Sequence, residues 1–65
     1  MNRYDVTFNN GSQTTSKGRP KKDGHGYFIF TDVQGNQHRV SQAQIRLIEP
    51  HGESEKSFFI PADSR

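Results

Sequence analysis

Gly26-Tyr27-Phe28-Ile29-Phe30-Thr31-Asp32, continued by Gly35-Asn36-Gln37-His38-Arg39-Val40, is the stretch on which the fold turns. Residues 27–30 are aromatic or β-branched throughout, a run too short for a buried helix and made of side chains that suit a pleated surface. Asp32 to Asn36 ends the run. Gln37 to Val40 resumes it with His38 and Val40 on one face, so the whole reads as a hairpin around Gln34-Gly35-Asn36.

Working upstream, Tyr4, Val6 and Phe8 alternate with Asp5, Thr7 and Asn9, the period-two signature of a half-buried strand. Asn10-Gly11 favours a tight primed turn, because both residues tolerate positive φ. The chain then returns antiparallel through Gln13, Thr14 and Thr15, making residues 4–16 a hairpin. Residues 16–26 hold three Gly, one Pro and four basic side chains with nothing apolar, which reads as an exposed loop. Downstream, Ser41 is placed to cap a short helical turn over residues 42–44, with Gln44 at the capping-box position. Ile45, Leu47 and Ile48 form a last core segment before Pro50. Residues 57–60 read either as an edge strand stopped by Pro61 or as a tail whose Phe58 and Phe59 fold over the body.

Sixty-five residues at 28% hydrophobic supply about 18 apolar side chains, enough for one small domain at most. With no Cys there is no disulfide framework, thiolate zinc site or thiol nucleophile. No run is apolar enough to span a bilayer with a helix or to serve as an export signal. The net charge of +2 hides an asymmetry. Residues 1–48 carry seven basic and three acidic side chains, or +4, whereas residues 49–65 carry two and four, or −2. These features predict an all-β fold, a small five- to six-stranded barrel or strongly bent antiparallel sheet, with SH3-like and OB-like architectures the leading candidates. The barrel domain spans residues 1–49, and residues 50–65 form an acidic C-terminal extension, with the added edge strand at 57–60 if it forms.

The order and spacing of Tyr4-Asp5-Val6-Thr7, Asn10-Gly11, Gly18-Arg19-Pro20-Lys21, the 26–32 strand, Gly35-Asn36, and then Val40, Ile45, Ile48 and Glu49 resemble the YgdI/YgdR-like family of small bacterial lipoproteins. The resemblance covers about residues 4–49. It implies a five-stranded SH3-like barrel held to the cell envelope by a lipid on an N-terminal Cys, with no established catalytic activity. It also implies that Phe28 and Phe30 point inward, leaving Tyr27 and Ile29 outward. That outer pair is then either covered by Phe58, Phe59 and Ile60 or left as a binding patch. Three departures stand out: no Cys is present, Lys21-Lys22 is basic where the family tends to be acidic, and residues 50–65 run past the family's usual end. The expected location is the periplasmic side of the cell envelope if Met1 replaces a processed N-terminus, and the cytoplasm otherwise.

The candidate binding residues are Lys17, Arg19, Lys21, Lys22, His25 and Tyr27, four cations within six positions beside an aromatic ring. Phosphate backbones reward such a cluster through counterion release, and an exposed Tyr stacks on bases. Anionic headgroups attract the same cluster, and a solubilising loop needs no partner. Arg39 and Arg46 add to the patch if they share its side of the rim. The three His residues lack the helical i, i+3 or i, i+4 spacing of paired ligands, so no metal is expected. Nothing marks a strained nucleophile turn or a phosphate-cradling loop ahead of a helix, so neither an enzyme nor a cofactor is expected. The leading reading is a non-catalytic envelope module, monomeric or weakly oligomeric, with an unassigned partner. Its alternative is a cytoplasmic nucleic-acid-binding barrel using the basic loop.

Overall fold

The computed structural model describes residues 2–52, so the expectations for residues 53–65, including the strand at 57–60 and the covering tail, lie outside the described residues. Six strands form in chain order: β1 (Tyr4–Phe8), β2 (Gln13–Ser16), β3 (Lys21–Lys22), β4 (Tyr27–Thr31), β5 (Gln37–Ser41) and β6 (Ile45–Pro50), with a 3-10 turn at Gln42–Gln44. They make two antiparallel three-stranded sheets, ordered β2-β1-β6 and β3-β4-β5. The all-β expectation holds.

The predicted exposed loop at 16–26 is partly strand. Ser16 ends β2 completely buried, and Lys21 and Lys22 pair with Ile29 and Phe28 of β4. Main-chain hydrogen bonds need no apolar side chains, so composition hid this two-residue edge strand. Ser16 also bridges Asp32, and the Lys17 amide donates to the Thr31 carbonyl at 2.8 Å. β2 and β3 therefore follow one another along the same edge of β4. From Ser16 to Lys21 the chain advances five residues while its partner moves only three, from Asp32 to Ile29, so two residues bulge out around Gly18-Arg19-Pro20. Pro20, which has no N–H to offer a ladder, is well placed there.

The sheets meet again at the 3-10 turn. The Gln42 amide donates to Gly26 O at 2.9 Å, at the start of β4, and the Gln44 carbonyl accepts from the Asn9 amide at 2.9 Å, just past β1. Ser41 caps the turn as read, its hydroxyl accepting from the Ala43 amide at 3.2 Å. Because this turn divides its backbone groups between the sheets, β5 and β6 separate instead of pairing, and the described strands do not close into a barrel.

Both three-residue loops carry glycine where φ must be positive. At Phe8–Ser12 and again at Asp32–Asn36, the first amide bonds the fifth carbonyl, and the fourth amide bonds the first carbonyl. Gly11 and Gly35 occupy the fourth place at φ 92°. This is a turn closed by a glycine bulge, not the primed Asn-Gly turn expected at residues 10–11, since Asn10 keeps a negative φ.

Val6 (0% exposed) and Phe30 (5%) centre the core. Asp5 and Thr7, expected on a solvated face, are also buried, at 8% and 7%. Polar neighbours cover them: Thr15 Oγ1 donates to Asp5 Oδ1 at 3.0 Å, Gln13 Nε2 donates to Thr7 Oγ1 at 2.9 Å, and His51 Nδ1 lies 2.9 Å from Asp5 Oδ1. Leu47 is a correction to the core list, since it is 46% exposed. Strand alternation alone puts Leu47 opposite Thr7, on the Asp5 side of the sheet, whereas Ile48 faces Val6; the register shift between Thr7 and Phe8 acts beyond them and brings Ile45 opposite Phe8.

Candidate basic face

Residues directly opposite in antiparallel strands share a face, so the registers assign the sides of the β3-β4-β5 sheet. Lys21, Ile29 and Arg39 form one cross-strand row, flanked by Tyr27 with Ser41 and by Thr31 with Gln37. The opposite face holds Lys22, Phe28 and Val40, then Phe30 and His38. Phe30 is buried against the His38 ring, stacked at 4.9 Å between centroids and 13° between planes. Phe28 and Phe30 thus share the inner side and Tyr27 and Ile29 the outer, as the strand alternation requires.

The six predicted residues do not form one cluster. Lys17, Arg19 and Lys21 line an open concavity of about 470 Å³ with Ile29, Thr31 and Gln37. Lys22 belongs to the other side of the sheet, and His25 is exposed at the tip of the β3–β4 turn. Tyr27 is half-buried, and its ring is already occupied, with the Arg39 guanidinium carbon 3.9 Å from the ring centroid. Arg19 likewise lies over the Tyr4 ring at 5.1 Å. Such pairs hold long cationic side chains in defined positions at a cost in freedom that the aromatic face offsets. Arg39 joins the basic face, whereas Arg46 belongs to β6 in the other sheet.

Two aspartates fix the turns at the two ends of β4. Asp23 Oδ1 accepts from the amides of His25 (2.7 Å) and Tyr27 (3.1 Å), and its Oδ2 lies 3.5 Å from Arg39 Nε. The His25 amide bond lowers the Asp23 carboxyl pKa, with the Tyr27 amide and the Arg39 charge adding to it against the opposing effect of burial. Asp32 repeats the device one hairpin later: Oδ1 accepts from the Gln34 and Asn36 amides, both at 2.9 Å, while Oδ2 lies 2.8 Å from His38 Nε2. The His38 hydrogen bond, helped by the Asn36 and Gln34 amides, holds Asp32 down at about 2. Each is an aspartate accepting from the amides two and four residues ahead.

Sequence reasoning missed Tyr4, Asp23 and Asp32 as parts of this region. The repeated spacing of Asp23 to Tyr27 and Asp32 to Asn36, each with glycine between, was the available signal. Tyr4 had none, because Arg19 reaches it only through the bulge. Among the described residues Arg39 is the one Lys or Arg within 4.0 Å of a carboxylate, so Lys17, Arg19 and Lys21 present uncompensated charge. No group of three or more His, Asp or Glu among the described residues is arranged to hold a metal. The arrangement can attract and orient anions. The concavity that these cations line is open to solvent.

Fold and face together define a small all-β module of two antiparallel sheets linked through the Ser16–Asp32 bridge, exposing one basic side. The chain belongs to the family described as "Domain of unknown function (DUF903)", whose model matches residues 3–50. Solved structures share the fold. An X-ray structure of a structural-genomics target is 24% identical, covers 77% of this chain and 88% of its own, and has a TM-score of 0.71. The solution NMR structure of a lipoprotein candidate from Pseudomonas syringae is 24% identical over 77% of this chain and 93% of its own, at 0.70. A crystal structure at 1.9 Å is also 24% identical, over 77% and 98%, at 0.70. Comparison with curated proteins gives no match.

Proposed function

We propose that this chain is a non-catalytic binding module of the bacterial cell envelope, a YgdI/YgdR-like relative with an SH3-like strand path. The observation that carries the reading is the shared fold with a lipoprotein candidate, at a TM-score of 0.70 over 93% of that protein. The SH3-like path is supported by β2 running through the Ser16–Asp32 bridge and the 18–20 bulge into β3, and by the 3-10 turn that parts β5 from β6. A binding role is supported by the open basic side, where charge is displayed and nothing is enclosed. The nucleic-acid alternative loses ground because each tyrosine ring beside the basic residues already carries an arginine over one face, which a stacking base would have to displace.

Cell fractionation followed by intact mass of the endogenous protein tests this reading, because it reports the compartment and the true N-terminus together. Recovery in the membrane fraction with the added mass of a lipidated Cys supports it. An unmodified soluble protein beginning at Met1 or Asn2 overturns it and returns weight to a cytoplasmic role.

A further inference from the structure

We infer that the outer side of β3-β4-β5 is a membrane-docking face that binds anionic phospholipid headgroups through Lys17, Arg19, Lys21 and Arg39, with Ile29 set between them. The inference deepens the envelope reading by naming the partner of the basic face, and rests on that reading for its biological setting.

Three observations converge. First, the charge is displayed outward: Lys17, Arg19 and Lys21 are exposed with no carboxylate within 4.0 Å among the described residues, and Arg39 is itself 58% exposed beside Asp23. An anionic bilayer meets such a face with complementary charge over an area, whereas a discrete anion pocket would bury its donors. Second, the row runs cation, apolar, cation. Ile29 lies opposite both Lys21 and Arg39, half-buried between two long amphipathic stems. That order suits a headgroup layer, where the cations reach phosphates and the branched aliphatic side chain meets the acyl boundary. A nucleic-acid backbone would gain nothing from Ile29 and would want the tyrosine faces that the arginines occupy. Third, Arg19 both lines the concavity and lies on Tyr4, the first residue of β1. The basic side therefore reaches the end of the domain where the chain enters it, and a module tethered through a segment ahead of Tyr4 would present this side to its own membrane.

Co-sedimentation of the full chain tests this with vesicles of equal parts phosphatidylglycerol and phosphatidylcholine, beside vesicles of phosphatidylcholine alone. At about 10 mM salt the Debye length is about 30 Å, so weak surface attraction is legible. Binding is expected to the anionic vesicles only and to disappear in high salt. Each surface cation is worth about a fivefold change in partitioning. The double variant Lys17→Gln with Lys21→Gln should therefore bind about 25-fold more weakly. Ile29→Thr, which keeps a β-branched residue in the strand, should weaken vesicle binding while leaving the charge untouched. Circular dichroism verifies that each variant folds.

Failure of the parent chain to bind anionic vesicles overturns the inference, as does a double lysine variant that binds like the parent. Tighter binding to a single-stranded oligonucleotide, with Ile29→Thr without effect on vesicles, assigns the face to nucleic acid instead. The two readings fail separately: a cytoplasmic location alongside specific vesicle binding refutes the envelope setting while sustaining the lipid chemistry of the face.

Discussion

Ser16→Ala removes one oxygen from a wholly buried site and adds no bulk, so it isolates what the hydroxyl does for the bulge. That hydroxyl donates to the Gly18 carbonyl and accepts from the Gly18 amide at 3.3 Å, tying together the two residues between which β2 leaves β1 for β4. Losing a hydrogen bond of this kind costs about 0.5–1.5 kcal/mol net, and stranding a part-buried carbonyl raises the total to about 1–2 kcal/mol. A domain of this size has only about 3–10 kcal/mol in all. The melting midpoint should fall by about 4–16 °C. Thermal and urea unfolding followed by circular dichroism measure both quantities. Ser12→Ala is the control, because Ser12 Oγ bonds only the exposed Asn10 side chain at 2.7 Å and its loss should be near neutral. If Ser16→Ala melts with Ser12→Ala, the hydroxyl does not hold the junction, and the account of how the chain passes from one sheet to the other is wrong.

Other outcomes follow from the same geometry. Asp32 is held at about 2, below its ordinary 3.8, so its ionised form contributes stability above pH 4 that is lost as pH falls through about 2; Asp32→Asn should flatten that acid limb in a melting-point titration. Gly35→Ala forces a Cβ into φ 92° and should cost about 1–2 kcal/mol, whereas Gly18→Ala, with nothing within 4 Å and no positive φ, should melt within about 2 °C of the parent. Phe30→Ala should cost about 3–5 kcal/mol, enough to unfold much of the population, while Leu47→Ala, 46% exposed, should cost under about 1 kcal/mol; equal losses in urea titrations would contradict the assigned faces.

Local pattern carried much of the fold. β1, β2, β4, β5 and the capped turn at 42–44 all lie where alternation, glycine placement and a serine cap put them, because each depends on residues within a few positions of one another. Leu47 follows from alternation too, since neighbours in a strand face opposite sides and Ile48 takes the Val6 side, but Ile45 does not: a register shift between Thr7 and Phe8 of a distant strand brings it opposite Phe8, and one residue of slip turns a side chain over. Composition also concealed β3, since two lysines on a sheet edge look like loop until a partner strand is seen. Asp5 and Thr7 looked solvated for a similar reason, their covers arriving from Gln13, Thr15 and His51.

For the candidate site, the sequence by itself determined that the chain is a small all-β domain with a concentrated basic segment at 17–22, because composition and short-range periodicity are properties of neighbouring residues. Only tertiary structure decided which cations act together. Pairing with β4 sends Lys21 to the Ile29 and Arg39 side and Lys22 to the Phe28 side, and the bulge at 18–20 carries Arg19 onto Tyr4, 15 residues away in the chain. Strand register sets those sides, and register is a long-range quantity: it is chosen by which faces the whole sheet can bury, so a run of adjacent cations is divided between two surfaces that no local reading distinguishes.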